Sequence, residues 1–430
     1  MSLPPFFRTG KTMRAKLLLS LMLSLPLGCQ AADFNWSAFG TAGYAISDQP
    51  YDYQRFISNQ GTFNRDSVFG AQLDVKFSPQ WGAAVQGRLA PAANSDAKFE
   101  PTLAWAFLSW RPSDDLLVRT GKLRVPFMLN TENQDVGVTY PYARLPVEVY
   151  ATAPTTDIYG AMFSKTWQAS AFEWGLDAYF GKIGYYQRFH GREMTAAGLG
   201  EGTWFEPTKL KGGGLVLSVR DDNNHHRIGL HRIETQRKNG EIISEFIFTP
   251  LPFPPGEGFY DLAASPQVAK TISPLIVLGS TFALPMGFKV SAEYARVRVT
   301  NATNGWDRWA AYGALSRQIG AWTPYAYYSK LSSSGGVLKL YNAIENNRVS
   351  PPWPEAINTS QRFAADMLIA HDQSTWALGT AYRVNSNSLM KTEWSFTKTG
   401  LVSSFIDASS NGSSADKRIN TFSLSYNFTF

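Results

Sequence analysis

Cysteine is all but missing from this chain: its 430 residues include one, Cys29. Without a second thiol there is no disulfide framework and no cysteine-ligated metal centre. Missing too is any apolar run of the roughly 20 residues that a membrane-crossing helix needs. Net charge is small. The formal +6 comes from 40 basic and 34 acidic residues, and four of the basic ones, Arg8, Lys11, Arg14 and Lys16, lie close to the N-terminus. Without those four, 36 basic face 34 acidic residues, and a balance of +2 lends no support to a nucleic-acid partner. Histidine is scarce as well. The five are His190, His225, His226, His231 and His371, and no pair has the helical spacing of a zinc hydrolase, so neither a metal nor another cofactor is expected.

What is present begins with a leader. Met13-Arg-Ala-Lys precedes Leu17, Leu18, Leu19, Leu21, Met22, Leu23 and Leu25, closed by Pro26, Leu27 and Gly28. That is the basic start and short apolar centre of a signal peptide, roughly a dozen apolar residues and too short for an anchor. Small residues at Cys29 and Ala31 place cleavage before Ala32, so residues 1–31 are expected to be removed. A lipoprotein acylated on Cys29 is the alternative, with Pro26 where a Leu is usual. Residues 1–12 add nothing to the signal, which makes Met13 an alternative start. An exported chain crosses an oxidising compartment, where having no cysteine avoids wrong pairings.

The end of the chain sets the fold class. Phe422, Leu424, Tyr426, Phe428 and Phe430 alternate without error against Thr421, Ser423, Ser425, Asn427 and Thr429. Period-2 alternation gives a strand one apolar and one polar face. The pattern returns upstream over about ten residues at a time, the length a tilted strand needs to cross a bilayer. Examples run from Phe69 to Phe77, from Trp81 to Leu89 and from Phe288 to Tyr294, and in each the charges share one face. Seven short turns are legible, at 78–80, 112–115, 168–170, 221–224, 284–287, 318–321 and 385–388. Between them stand eight long polar stretches, at 47–66, 91–100, 126–157, 183–211, 238–271, 300–307, 332–372 and 399–417. Fifteen connections require sixteen strands. The expectation is an all-β, transmembrane, antiparallel barrel of about 16 strands occupying residues 32–430 as one domain, wide enough to keep an aqueous interior. Trp36, Tyr44, Phe77, Trp81, Trp376, Tyr382, Trp394 and Phe396 read as its interfacial girdles. Outer-membrane proteins end on strands like this one, so Tyr426, Phe428 and Phe430 are expected to be read by the barrel-assembly machinery.

Residues 116–127 run as a strand into the third long connection, rich in Asn130, Glu132, Asn133, Asp135, Tyr140, Tyr142, Arg144, Glu148 and Tyr150. Three pieces here carry a resemblance: Gly121-Lys-Leu-Arg-Val-Pro-Phe127, Glu132-Asn-Gln-Asp-Val-Gly-Val-Thr-Tyr140 and Arg144-Leu-Pro-Val-Glu-Val-Tyr150. They are similar to Gram-negative porin-like proteins related to the phosphate-selective porins, over about forty residues, with only the architecture shared elsewhere. The resemblance implies a trimeric diffusion channel in the outer membrane whose third external loop, 126–157, folds into the pore. It does not carry phosphate selectivity, because the basic residues of that subgroup cannot be matched one by one.

The candidate constriction sets Arg88, Arg119, Lys122 and Arg124 on the wall against Glu132 and Asp135 on the loop, with Arg144 beside them, to make a transverse field. Side chains at the rim or snorkelling to headgroups are the plainer reading. Arg119 and Lys122 differ by an odd number, so either a bulge near Gly121 re-phases the strand or one of them does not face the lumen. Further lumen candidates are Asp74, Lys76, Arg227, His231, Lys289, Glu293, Lys391 and Glu393. Arg296 and Arg298 fall out of phase and either meet lipopolysaccharide phosphates or begin a loop. The expected partners are therefore membrane lipid, lipopolysaccharide and small hydrophilic solutes or ions. Three other functions remain open: an anion or organic-acid channel with a saturable site, a loop-borne adhesin or receptor, and a barrel enzyme. Ser360, His371 and Asp372 offer the last of these its residue types, but no Gly-x-Ser-x-Gly elbow is present.

Overall fold

Tyr426, Leu424 and Phe422 project outward while Thr421, Ser423, Ser425 and Asn427 are buried, so the alternation of the last strand separates an apolar outside from a polar inside. The computed structural model describes residues 32–194 and 202–430; the expected signal peptide, its cleavage point and Cys29 lie outside the described residues. Sixteen strands succeed one another around a closed barrel. They are β1 (Asp33–Ser47), β2 (Val68–Lys76), β3 (Trp81–Pro91), β4 (Phe99–Ser113), β5 (Leu116–Arg124), β6 (Asp157–Ala169), β7 (Phe172–His190) and β8 (Thr203–Arg220). The second half comprises β9 (His225–Arg237), β10 (Thr271–Leu284), β11 (Phe288–Val297), β12 (Arg308–Arg317), β13 (Trp322–Ser333), β14 (His371–Asn385), β15 (Ser388–Ser403) and β16 (Arg418–Thr429). Every neighbouring pair is antiparallel, and β1 closes the ring against β16 from Phe39↔Thr429 to Ser47↔Thr421. The terminal Phe430 adds backbone hydrogen bonds to Ala38 in both directions. Closure leaves no unpaired edge, which a bilayer would not tolerate.

The outer surface is built for lipid. Trp36 is 69% exposed and Phe180 60%, and Leu215, Leu230, Ile276, Trp376 and Phe422 continue the apolar outside around the ring. Near the turns, aromatic rings pair across strands: Trp81 with Trp110, Trp167 with Trp174 and Trp322 with Tyr382. Such amphipathic rings belong at the membrane boundary. Trp394, expected in a girdle, instead stands mid-strand opposite Leu378.

The seven turns join β2 to β3, β4 to β5 and so on, and the eight longer connections leave from the opposite end. Three of these differ from the sequence reading, the first being 238–271, which holds two small two-stranded sheets, Ile242–Ile243 with Gln267–Val268 and Ile247–Pro250 with Gly258–Asp261. The stretch 183–211 is mostly strand, because β7 continues to His190 and β8 begins at Thr203. The stretch 332–372 holds two helices, α2 (Gly335–Glu345) and α3 (Glu355–Met367), which bury Val337, Tyr341, Ile344, Ala364 and Ala365 between them. Side chains tie these connections over the mouth. Arg192 binds Glu345 (2.6 and 2.8 Å) and Asp366 (2.9 Å), Arg188 binds Asp96 and Asp407, and Arg362 binds Glu193.

Candidate functional site

The third connection, residues 125–156, packs against inward-facing side chains of more than half the strands. Its apolar part, with Val125, Phe127, Met128, Tyr142 and Val149, forms one buried cluster with Ile158, Met162, Tyr179, Ile233, Leu275, Val277, Tyr312, Tyr325 and Tyr327 of the wall. Its polar part is held by wall side chains acting on backbone. Arg227 donates to the carbonyls of Pro126 (2.9 Å) and Met128 (3.1 Å). Lys391 donates to Tyr142 O (2.8 Å) with its ammonium over the Tyr140 ring, and Arg308 to Ala151 O while lying over Trp306. Each cation thus takes up a carbonyl that an irregular backbone inside a barrel would otherwise leave without a partner.

Three buried glutamates complete the attachment. Glu293 accepts from Leu129 N (2.7 Å), Tyr150 OH (2.8 Å) and Tyr312 OH (3.0 Å). Glu393 accepts from Tyr325 OH (2.8 Å) and Tyr327 OH (3.2 Å). Glu148, on the short helix α1 (Val147–Tyr150), accepts from Ser329 (2.7 Å), Gln373 (2.7 Å) and Thr375 (2.6 Å). Arg227, Lys391, Glu293 and Glu393 are expected from the sequence to line open water. They are inward-facing, but their hydrogen-bonding capacity goes to the third connection or to the wall beneath it. The same holds for His231, buried between Tyr179 OH (2.8 Å) and the edge of Phe127.

The charged cluster lies where this segment meets β3 and β5. Asp135 takes both carboxylate oxygens to Arg88 (3.0 and 2.8 Å) and one of them to Arg124 (2.8 Å), which also reaches Asp157 (3.3 Å) and covers the Trp105 ring. Burial works against the Asp135 charge, but the adjacent Arg88 and Arg124 outweigh it and hold the carboxyl below the usual range. Arg144 makes a two-pronged bond to Asp66 of the first loop, one arm at 2.9 Å, and reaches Ser423. There too burial is overcome by the guanidinium, and Asp66 is held low. Glu132 is exposed on the segment and has no ion-pair partner among the described residues. Arg119 faces inward over Phe107 and reaches Ser164 (3.4 Å).

Lys122 does not join the cluster's inner face. Pairing runs unshifted through Gly121 on both sides, Phe107↔Gly121 and Gly121↔Gly160, so no residue is inserted and the strand keeps its phase. Lys122 therefore sits opposite outward-facing Tyr159, its ammonium on Leu103 O and 3.6 Å from Asp157. Gly121 is still special: at φ +138° its backbone crosses so close to Ala106 O that a Cβ would collide. Arg124 shares the parity of Lys122 and still pairs with Asp157 of β6, yet its guanidinium turns inward to Asp135 and the Trp105 ring at the point where β4 has stopped pairing. Asp74 accepts from Gln72 (2.8 Å) in the lumen, whereas Lys76 and Lys289 are exposed next to turns. Arg296 pairs with Asp307 (2.6 Å) where its loop begins.

The sequence reading missed Glu148, Arg308, Tyr150 and Asp157. Glu148 counts there only as loop polarity; a signal lies in its flanks, since Val147 and Val149 leave an acid between two apolar residues in a segment that has to be buried. Ser360, His371 and Asp372 do not bond to one another: Ser360 donates to Ile357 O, His371 donates its backbone N–H to Ser333, and Asp372 accepts from Leu401 N. Among the described residues no group of three or more His, Cys, Asp or Glu is placed to hold a metal.

This geometry defines a class: a closed sixteen-stranded antiparallel barrel of the outer-membrane type, with a long third connection packed against its inner wall. No protein-family model matches the chain, and no curated protein matches it. Solved structures of the same fold do. In its trimer form, the in-vitro folded outer-membrane protein OmpT of Vibrio cholerae is 10% identical with a TM-score of 0.53, over 93% of this chain and 100% of that one. The loop L8 deletion mutant of OmpT is 11% identical (TM-score 0.52), with the same coverage. An anion-selective porin from Comamonas acidovorans is 10% identical (TM-score 0.51), again over 93% and 100%. At these identities the likeness is one of fold.

Proposed function

We propose that the chain forms a water-filled channel across the Gram-negative outer membrane for passive diffusion of small hydrophilic solutes and ions, with residues 125–156 as its constriction. The observation that carries this reading is the Arg88–Asp135–Arg124 cluster, an ion-pair network where the inward loop meets the wall. A sixteen-strand circumference leaves more interior than wall side chains fill, and a charged loop across it sets what passes. By the same reading the chain assembles as a homotrimer and turns over no substrate.

Planar bilayers test it. The purified protein should give discrete conductance steps, and in asymmetric KCl the Arg88→Glu variant should move the reversal potential toward cation preference. A protein that makes no channel ends the proposal, and a potential indifferent to Arg88 ends the constriction assignment.

One observation favours a second reading, a channel with a saturable site for a small organic anion. A cavity of about 80 Å³ lies on the loop side of the segment, lined by Tyr185, Phe189, Thr208, Arg237 and Trp306 among others. Arg237 lies over Phe189 and has no ion pair among the described residues. Conductance that saturates at low concentrations of such an anion supports this reading; strict proportionality removes it.

A further inference from the structure

The outer wall carries a strongly charged region across β7, β8 and β9. Lys182 and Lys211 stand directly opposite each other on β7 and β8, flanked in the same row by Tyr159 and Glu234. Both are exposed, as are Lys209, Arg232, Lys238 and Lys270 around them. Glu234 is already taken by Lys270 (2.8 Å) and Arg232 (3.4 Å). Lys182, Lys209 and Lys211 have no ion-pair partner among the described residues. Like charges placed directly across an antiparallel pair are destabilising, and among the described residues the acid in this row, Glu234, is shared with Arg232 and Lys270.

Two features say what would. The row stands where the apolar band stops. On β7 the outward residues run Phe172, Trp174, Leu176, Ala178 and Phe180 and then Lys182, so the cations begin about ten residues from the turn, one bilayer crossing. The surface here is also concave. A groove of about 930 Å³ is lined by Tyr159, Lys182, Tyr186, Lys209 and Lys211 among others. It adjoins a second groove of about 550 Å³ beneath it, reaching Phe180 and Gly213. Gly213 is the outward residue between Phe180 and Arg232, so the wall is bare at that point. A cationic cleft thus opens directly onto an uncovered apolar trough.

We propose that this face is a binding site for a phosphorylated, acylated glycolipid of the outer leaflet, the class to which lipopolysaccharide belongs. Its phosphates accept from Lys182, Lys211, Lys209 and Arg232, and an acyl chain lies over Gly213 beside Phe180. Phosphate between Lys182 and Lys211 turns their repulsion into a bridge. The site owes nothing to conduction, so it stands or falls separately from the channel.

The test is lipid retention by the full chain in detergent, read by native mass spectrometry after addition of bisphosphorylated lipid A, the same lipid stripped of phosphate, or inorganic phosphate. Lipid A should be retained, and the stripped lipid held about thirtyfold less well, since each phosphate-bound lysine at a membrane surface is worth about a factor of five and the bridging pair counts twice. The Lys182→Ala/Lys211→Ala variant should lose lipid A to the same extent, while Lys98→Ala/Lys339→Ala, exposed cations elsewhere, behaves as the wild type. Inorganic phosphate at millimolar concentration should not displace the lipid. Without lipid, the double variant should unfold no earlier than the wild type, because a like-charge pair has gone; should it not fold, Lys211→Gln is read the same way. Equal retention by the lysine variants, equal binding of stripped lipid, or displacement by inorganic phosphate overturns the site.

Discussion

Arg124 and Arg88 bind the same carboxylate from different depths, and the difference should be measurable. The Arg124 side chain is 2% exposed and the Arg88 side chain 27%. Removing the buried cation leaves Asp135 on the partly exposed Arg88 alone and Asp157 with only Lys122 at 3.6 Å, so Arg124→Ala is expected to cost the more, about 3 kcal/mol. Arg88→Ala leaves Asp135 still paired and should cost about 1 kcal/mol or less. Denaturant unfolding of the detergent-solubilised barrel compares the two; equal losses would mean that burial does not rank them. A pH experiment addresses Asp66 and Asp135 together. Both carboxyls titrate below the ordinary value of about 3.9 in the folded chain. Their stabilisation is therefore fully present above that pH and disappears only as pH falls through the lower folded values. Conductance and heat resistance should be flat from pH 7 to 5, and a wild-type transition within that window that Asp66→Asn abolishes would refute the pairing.

At the scale of elements, periodicity in the sequence assigns faces well and contacts poorly. It places Glu293, Glu393, Lys391 and Arg227 on inward faces, because alternation alone decides that. It cannot show that the third connection brings Tyr150, Tyr142 and Pro126 to meet them, since those partners lie far away along the chain. The helices α2 and α3 escape it for a related reason: Gly335, Pro351, Pro352 and Pro354 dominate the stretch as loop residues. Val337, Tyr341 and Ile344 nonetheless carry the helical spacing. Gly137 offers a direct probe of how closely the third connection is seated. A Cβ there would overlap Asn427 Oδ1 and press on Thr41 Oγ1. Gly137→Val should therefore lift the segment from β1 and β16, expose it to limited proteolysis and change single-channel conductance. A variant as resistant and as conductive as the wild type would show that the contact is slack.

For the whole molecule, sixteen strands are legible in the sequence because each turn and loop is an independent local signal and their sum fixes the ring. The loops' mutual bonds are not, because Arg192, Glu345 and Asp366 meet only once the barrel has closed. That difference bears on what limits flow. Around the ring the wall is continuous, so obstruction inside can come only from what enters from the ends. The segment 125–156 is fastened to β9, β11, β12, β13, β14 and β15 through Arg227, Glu293, Arg308, Tyr325, Glu148 and Lys391. The barrel strands pair with their own neighbours independently of it. Excising residues 130–152 and bridging the ends with a short Gly-Ser linker should therefore leave a folded, heat-modifiable barrel whose single-channel conductance rises several-fold and whose ion preference weakens. Loss of folding would make the segment a structural core rather than a constriction. A folded barrel with unchanged conductance would move the limiting barrier to the loop assembly at the mouth, where Arg192→Ala would be the next substitution to record.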